Sequence, residues 1–265
     1  MKDLSVTAIQ SNLVWEHPEA NRAHFDEHLS TLINRTDVIV LCEMFTTGFS
    51  MAPERIAEAF DDENMSTLNW MRAWAKKLDA VVTGSISVSD GGKNFNRLMW
   101  VKPDGSFTTY DKRHTFNFAS EGDHYERGDK LLIEEWRGWK ICPLICYDLR
   151  FPVWSRNRLV DGHASYDLLI YCANWPEARI GVWKKLLPAR AIENQSYVVG
   201  VNRVGSDGSG LIYPGSSLII DAKGETLHDL GSGEAVITHS INGPELEEFR
   251  RKFPVMQDAD QFEIR

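Results

Sequence analysis

The chain has 265 residues, with 29 Lys and Arg against 38 Asp and Glu and a formal net charge of −9 at pH 7. That balance disfavours extended anionic partners, so neither nucleic acid nor a membrane surface is expected to bind it, whereas a small-molecule partner is. The opening Met1-Lys2-Asp3-Leu4-Ser5-Val6 has no apolar leader run, and no later stretch approaches the roughly 18 apolar residues of a spanning helix; a soluble, cytoplasmic protein is expected. Cys42, Cys142, Cys146 and Cys172 lie in apolar runs without disulfide-scaffold spacing or a Cys-x-x-Cys pair, which predicts reduced thiols.

In chain order, Ser5–Gln10 reads as a strand and Glu19–Ile33 as a helix, with Ala20, Ala23, Leu29, Leu32 and Ile33 at helical spacing. Asp37–Cys42 is a strand and Met65–Leu78 a helix. Ala80–Val88 and Asn94–Val101 are strands around the Asp90-Gly91-Gly92 turn, and Lys102-Pro103-Asp104-Gly105 makes a further turn. The alternation then repeats: Trp139–Cys146 strand, Pro152–Leu159 helix, Asp167–Ala173 strand, Val182–Asn194 helix, Tyr197–Val204 strand. Ser216–Asp221, Glu225–Asp229 and Glu234–Ile241 come next as strands, with a last helix at Pro244–Arg251. Near-continuous apolar strands alternating with helices predict a layered α/β fold with both sheet faces covered, and the added hairpins predict a second sheet. Without linkers, low-complexity segments or tandem repeats, residues 1–265 read as one domain.

Three of these runs end in residues that carry chemistry. Cys146 follows the buried Ile141–Ile145 run and precedes a polar turn with Pro152 near its first turn, so orphan backbone N–H groups are expected to lower its pKa and to donate to an oxyanion. A cysteine in an apolar strand is ordinarily a small hydrophobe, the reading for Cys142 and Cys172. Glu43 follows the apolar Val38–Cys42 run, at the strand edge where ligand sites of open α/β sheets lie, and a carboxylate buried there can take a thiol proton. Lys112 ends a third strand and can stabilise an oxyanion.

Taken together, these segments resemble the nitrilase superfamily of carbon–nitrogen hydrolases over essentially the whole chain. Tyr110-Asp111-Lys112-Arg113-His114, the Ile145–Pro152 block, Ala173-Asn174-Trp175-Pro176 and the Ala189–Gln195 block look like its omega-amidase branch, as does the tail motif of Lys252-Phe253-Pro254 with Asp258-Ala259-Asp260-Gln261-Phe262. The resemblance implies a four-layer α-β-β-α sandwich with two mixed sheets, and hydrolysis of 2-oxoglutaramate or 2-oxosuccinamate through a Cys146 thioester. It assigns the base to Glu43 and the oxyanion to Lys112 and the Tyr147 N–H. A second glutamate orients the base and lysine; Glu121 is the match and Glu126 its rival. Phe49, Phe116, His124, Trp175 and Arg179 are candidate pocket walls. Arg179 is the candidate carboxylate ligand, with Arg113 the alternative and Arg150 expected to brace the elbow through an acid. No cofactor is implied, and a homodimer is, with the C-terminal tail at its interface. Cys42 departs from the pattern, because proline usually precedes the base glutamate.

His24 and His28 stand four apart on a helix but lack a third ligand in sequence, so no metal is predicted. Gly205–Gly210 reads as a flexible loop near the site rather than a phosphate cradle. Asn34-Arg35-Thr36 and Asn194-Gln195-Ser196 are glycosylation patterns without meaning in a cytoplasmic chain. The rivals are an N-carbamoyl amino acid hydrolase or nitrilase with the same residues, a catalytically silent binding protein, and a redox protein using Cys142, Cys146 and Cys42.

Overall fold

A computed structural model describes residues 1–32 and 36–264. Two mixed sheets pack face to face. The first runs in the order Ala235–Ile241, Leu4–Gln10, Val38–Val40, Val81–Asp90, Lys93–Val101, Phe107–Asp111, with Glu58–Ala59 alongside Val81–Asp90. The second runs Thr226–Asp229, Leu218–Ile220, Tyr197–Asn202, Leu168–Ala173, Trp139–Ile145, Glu134–Trp136. Each contains a parallel trio flanked by antiparallel strands. Val38–Val40 is central in one trio and Leu168–Ala173 in the other, and every residue of both is buried. Such strands, covered on both faces, must be apolar throughout, which is why they read as continuous rather than alternating runs.

Helices complete the four layers. Pro18–Ser30 and Ser66–Leu78 cover the first sheet, and Ile180–Asn194 covers the second. Ser66–Leu78 buries Leu68, Met71, Trp74, Ala75 and Leu78 and ends on Asp79 in the left-handed region. Pro18–Ser30 turns a different face inward than its alanines suggested: Asn21, Phe25 and Leu29 are buried while Ala23 is exposed. Asn21 tolerates burial because its amide meets Val14 N, Val14 O and Thr46 O. The expected helical end at Ile33 and the first two residues of the Asn34-Arg35-Thr36 pattern lie outside the described residues. The last helix, Gly243–Lys252, is capped by Asn242, which accepts from Glu245 N at 2.8 Å.

One expected helix is absent. Residues 152–155 are turns, the next three are irregular and Leu159 opens the short strand Leu159–Val160; the helical geometry here is the 3-10 turn Cys146–Arg150 directly after its strand. Pro152, Val153, Ser155 and Asn157 are weak helix formers, and tertiary bonds hold the segment instead. Trp154 Nε1 donates to Tyr110 Oη at 3.0 Å, and Asn157 N donates to Asn194 Oδ1 at 2.8 Å. Val38–Val40 is shorter than the expected Asp37–Cys42 because the chain leaves the ladder after Leu41 N bonds Thr83 O, which frees Cys42 and Glu43 to turn toward the second sheet.

Candidate active site

Three strand ends converge between the sheets. Glu43 lies just past Val38–Val40, where Met44 adopts φ +42° and its N–H is held by Ser85 Oγ at 2.9 Å. Cys146 lies just past Trp139–Ile145 at φ +41°, a left-handed conformation that an L-residue adopts at a cost and that turns its side chain out of the strand line. The elbow is tied from both sides. Asp148 accepts from Ile145 N at 3.1 Å, Tyr110 Oη–H at 2.7 Å, His114 N at 3.1 Å and His114 Nδ1 at 2.8 Å, which joins the turn to the Lys112 segment. Arg190, on the Ile180–Asn194 helix, donates twice to Leu149 O, at 3.1 and 2.6 Å.

Lys112 is fully buried, and its Nζ donates to Glu43 Oε1 at 2.8 Å and to Glu121 Oε1 and Oε2 at 3.0 and 2.9 Å. Both carboxylates are also fully buried. Asn96 Nδ2 bridges them, 2.8 Å from Glu43 and 3.2 Å from Glu121, and Phe116 N donates to Glu121 at 2.5 Å. Across the sheet interface, Asn174 fixes Glu43 from the end of Leu168–Ala173: its N–H reaches Glu43 Oε2 at 2.9 Å and its Nδ2 reaches Glu43 O at 2.6 Å. Glu126, the rival second glutamate, is exposed and pairs with Lys93.

The electrostatics arise from burial and contact. Burial disfavours the Lys112 ammonium, yet Glu121, Glu43 and Cys146 outweigh it and hold its pKa above the ordinary value. Burial raises Glu121, with Lys112 opposing and Glu43 reinforcing. Burial and the Glu43 carboxylate push the Cys146 thiol well up, Lys112 opposing. The lowered thiol pKa expected from a helix start is therefore overturned: five residues of 3-10 turn offer little dipole against a desolvated site with an adjacent carboxylate. A thiol protonated at rest needs a base, and Glu43 is the carboxylate that faces it, while the thiol itself contacts Asn174 O at 3.9 Å.

A cavity of about 190 Å³ opens onto these groups. Phe49, Phe116, Trp175 and Arg179 line it as expected, and Glu43, Lys112, Cys146, Tyr147 and Asn174 form its floor. His124 does not; it ends the short Glu121–His124 helix and is exposed, because Glu121 takes the inward position. Arg113 also points elsewhere, donating to Gly128 O. Arg150 lines the cavity instead of bracing the elbow through an acid: its guanidinium lies 5.2 Å from the Trp175 ring centroid, and Asp148 and Arg190 do the bracing. Arg179 lies over Phe116 at 5.0 Å. Among the described residues, neither Arg150 nor Arg179 has a carboxylate partner.

Sequence reasoning missed Asn96, Asn174, Phe118, Leu211 and Tyr213. Asn96 left no distinct signal, because Asn94 and Arg97 stand beside it in the same strand. The Gly205–Gly210 loop belongs to a hairpin, Val204–Ser206 with Ile212–Pro214, that brings Leu211 and Tyr213 to the cavity. It is held rather than loose: Asp207 accepts from Ser209 N, Leu211 N and Tyr213 Oη. All four cysteines are free and buried, with thiol pKa values raised by burial, Cys42 to about 12. Such thiols are poor redox centres.

Known proteins share this fold and much of this sequence. The chain is 47% identical over all 265 residues, and the full length of the relative, to the omega-amidase YafV of Escherichia coli K12. It is 32% identical to the 2-oxoglutaramate amidase of Bacillus subtilis over 96% of each chain. Among solved structures, a CN-hydrolase superfamily protein of Xanthomonas campestris with an arsenic adduct in its active site superposes with a TM-score of 0.97, at 42% identity and full coverage of both chains. The family model for carbon-nitrogen hydrolases matches residues 5–251, and with it the chain belongs to the carbon–nitrogen hydrolase family.

Proposed function

We propose that this hydrolase is an omega-amidase acting on short 2-oxo dicarboxylic acid monoamides, 2-oxoglutaramate and 2-oxosuccinamate. The observation that carries the substrate class is the pair of unpaired guanidiniums, Arg150 and Arg179, in a cavity of about 190 Å³ that already holds a thiol, a carboxylate and an ammonium. An arginine that faces a binding pocket with no acid beside it among the described residues calls for a carboxylate from the ligand. The cavity falls below the roughly 300–1,000 Å³ of drug-sized sites, which suits a short chain. The names of the full-length relatives support the same reading.

Cys146 gives its proton to Glu43 as sulfur attacks the amide carbon, and the carbonyl oxygen becomes an oxyanion facing Lys112 Nζ and the Tyr147 N–H. Tyr147 is the second residue of its turn, so its N–H lies ahead of the first in-turn donor. Collapse breaks the C–N bond, Glu43 returns the proton to departing ammonia, and a thioester remains. Glu43 then takes a proton from water, whose oxygen attacks the thioester; the 2-oxo acid leaves and the thiol is restored. Glu121 and Asn96 keep Glu43 and Lys112 in register. The test is ammonia release from 2-oxoglutaramate beside glutamine, a nitrile and an N-carbamoyl amino acid. Selective turnover of the 2-oxo amide, abolished in Cys146→Ala, supports the reading; preference for either of the last two would replace it with nitrilase or carbamoyl hydrolase activity.

A further inference from the structure

Away from the cavity, the fold supplies what the sequence lacked for His24 and His28. Both lie on one face of the Pro18–Ser30 helix, with ring centroids 4.8 Å apart. Glu234, just before the Ala235–Ile241 strand, sets its Oε1 2.7 Å from His24 Nε2. The ligating atoms of His24, His28 and Glu234 all lie within 4.8 Å of one another. We infer that these three side chains form a binding site for a divalent cation of the zinc type.

Two features favour a site over a chance ion pair. Residues four apart on a helix present two imidazoles to one point, and imidazole with a carboxylate suits zinc and its borderline neighbours. The carboxylate is fixed in advance: Glu234 Oε1 accepts from Asn12 N at 2.8 Å and from Ser11 Oγ at 3.1 Å, and Ser11 Oγ also lies 3.4 Å from His28 Nε2. On the far side of the ring, His24 Nδ1 is 3.7 Å from Glu27 Oε2, an ion-pair separation too long for a hydrogen bond. Coordination needs a lone pair at His24 Nε2, so its ring proton moves to Nδ1 toward Glu27, and no electron is transferred. Zinc bonds of about 2.0–2.1 Å place tetrahedral donors roughly 3.3 Å apart, so the 2.7 Å contact opens slightly and donors standing up to 4.8 Å apart draw in. Three protein ligands leave a fourth position for water. A bound cation would staple the helix to the edge strand of the first sheet.

Calorimetric titration of the full chain with zinc chloride tests the site, beside His28→Ala, Glu234→Gln and Cys146→Ala. One saturable event per chain is expected, retained in Cys146→Ala and weakened at least about tenfold in both ligand variants. Retained ammonia-releasing activity would certify that those two variants are folded. No saturable event in the native chain, equal affinity in both ligand variants, or loss in Cys146→Ala would overturn the inference.

Discussion

The Cys146 thiol is raised by burial and by Glu43 before Lys112 pulls the other way, so Glu43→Gln removes the base and at the same time lowers the thiol pKa. Turnover is predicted to fall while thiolate absorbance, titrated upward in pH and read against Cys146→Ala, appears at a lower pH than in the native chain; a fall in turnover with no such shift would contradict the electrostatic account. Lys112→Met leaves two buried carboxylates together, a change expected to cost about 3–5 kcal/mol. Glu121, already raised, then rises further for want of its cation. A group whose folded pKa is raised contributes stability below its unfolded pKa and loses it as pH rises through the folded value. The Tm deficit of Lys112→Met relative to the native chain is therefore predicted to be larger at pH 8 than at pH 5, and a deficit independent of pH would refute it.

Among the elements, the strands that carry Glu43 and Cys146 were legible because burial on both faces makes them continuously apolar. The turns beyond those strands were not. The elbow at Cys146 depends on a positive φ, on Asp148 and on Arg190 more than 40 residues away, and none of these shows in local periodicity. For the same reason Pro152–Leu159 reads as a helix from the strand–helix alternation and from Pro152 at its start, while Tyr110 and Asn194 dictate the turns. Glu121 matched a family pattern, whereas Asn96 and Asn174 reach the site only through sheet pairing and sheet packing. His124 was misplaced because a four-residue helix turns only one acid inward. Gly84 shows how closely these elements are set. A Cβ there would lie 2.8 Å from Leu41 Cβ and 3.0 Å from Phe45 Cδ1, on either side of Glu43. Gly84→Ala is predicted to cost about 1–3 kcal/mol by overpacking and to lower kcat by shifting the base. Denaturation and steady-state kinetics check this, and unchanged kcat would show that the Glu43 segment is not held from this side.

At the scale of the whole molecule, two mixed sheets meet so that the central strand of each parallel trio ends at the same point, one delivering Glu43 and the other Asn174. The layered fold was readable from the order of strands and helices. The pocket was readable only in part: Phe49, Phe116, Trp175 and Arg179 came with the resemblance, whereas Leu211 and Tyr213 arrive on a hairpin whose 205–210 stretch reads locally as a loose loop. Among the described residues no helix is long and apolar enough to cross a membrane. The tail folds against its own chain, with Phe262 beneath Arg158 at 4.2 Å and Phe253 O accepting from Gln195.

The most direct measurement is kcat/KM for 2-oxoglutaramate against an uncharged monoamide of the same length, in the native chain and in Arg150→Met and Arg179→Met. Charge-assisted bonds of about 1.5–3 kcal/mol predict a native preference of roughly 10–100-fold for the carboxylate-bearing amide, reduced in each variant chiefly through KM. Equal rates for both amides, or a preference untouched by losing either arginine, would contradict the account.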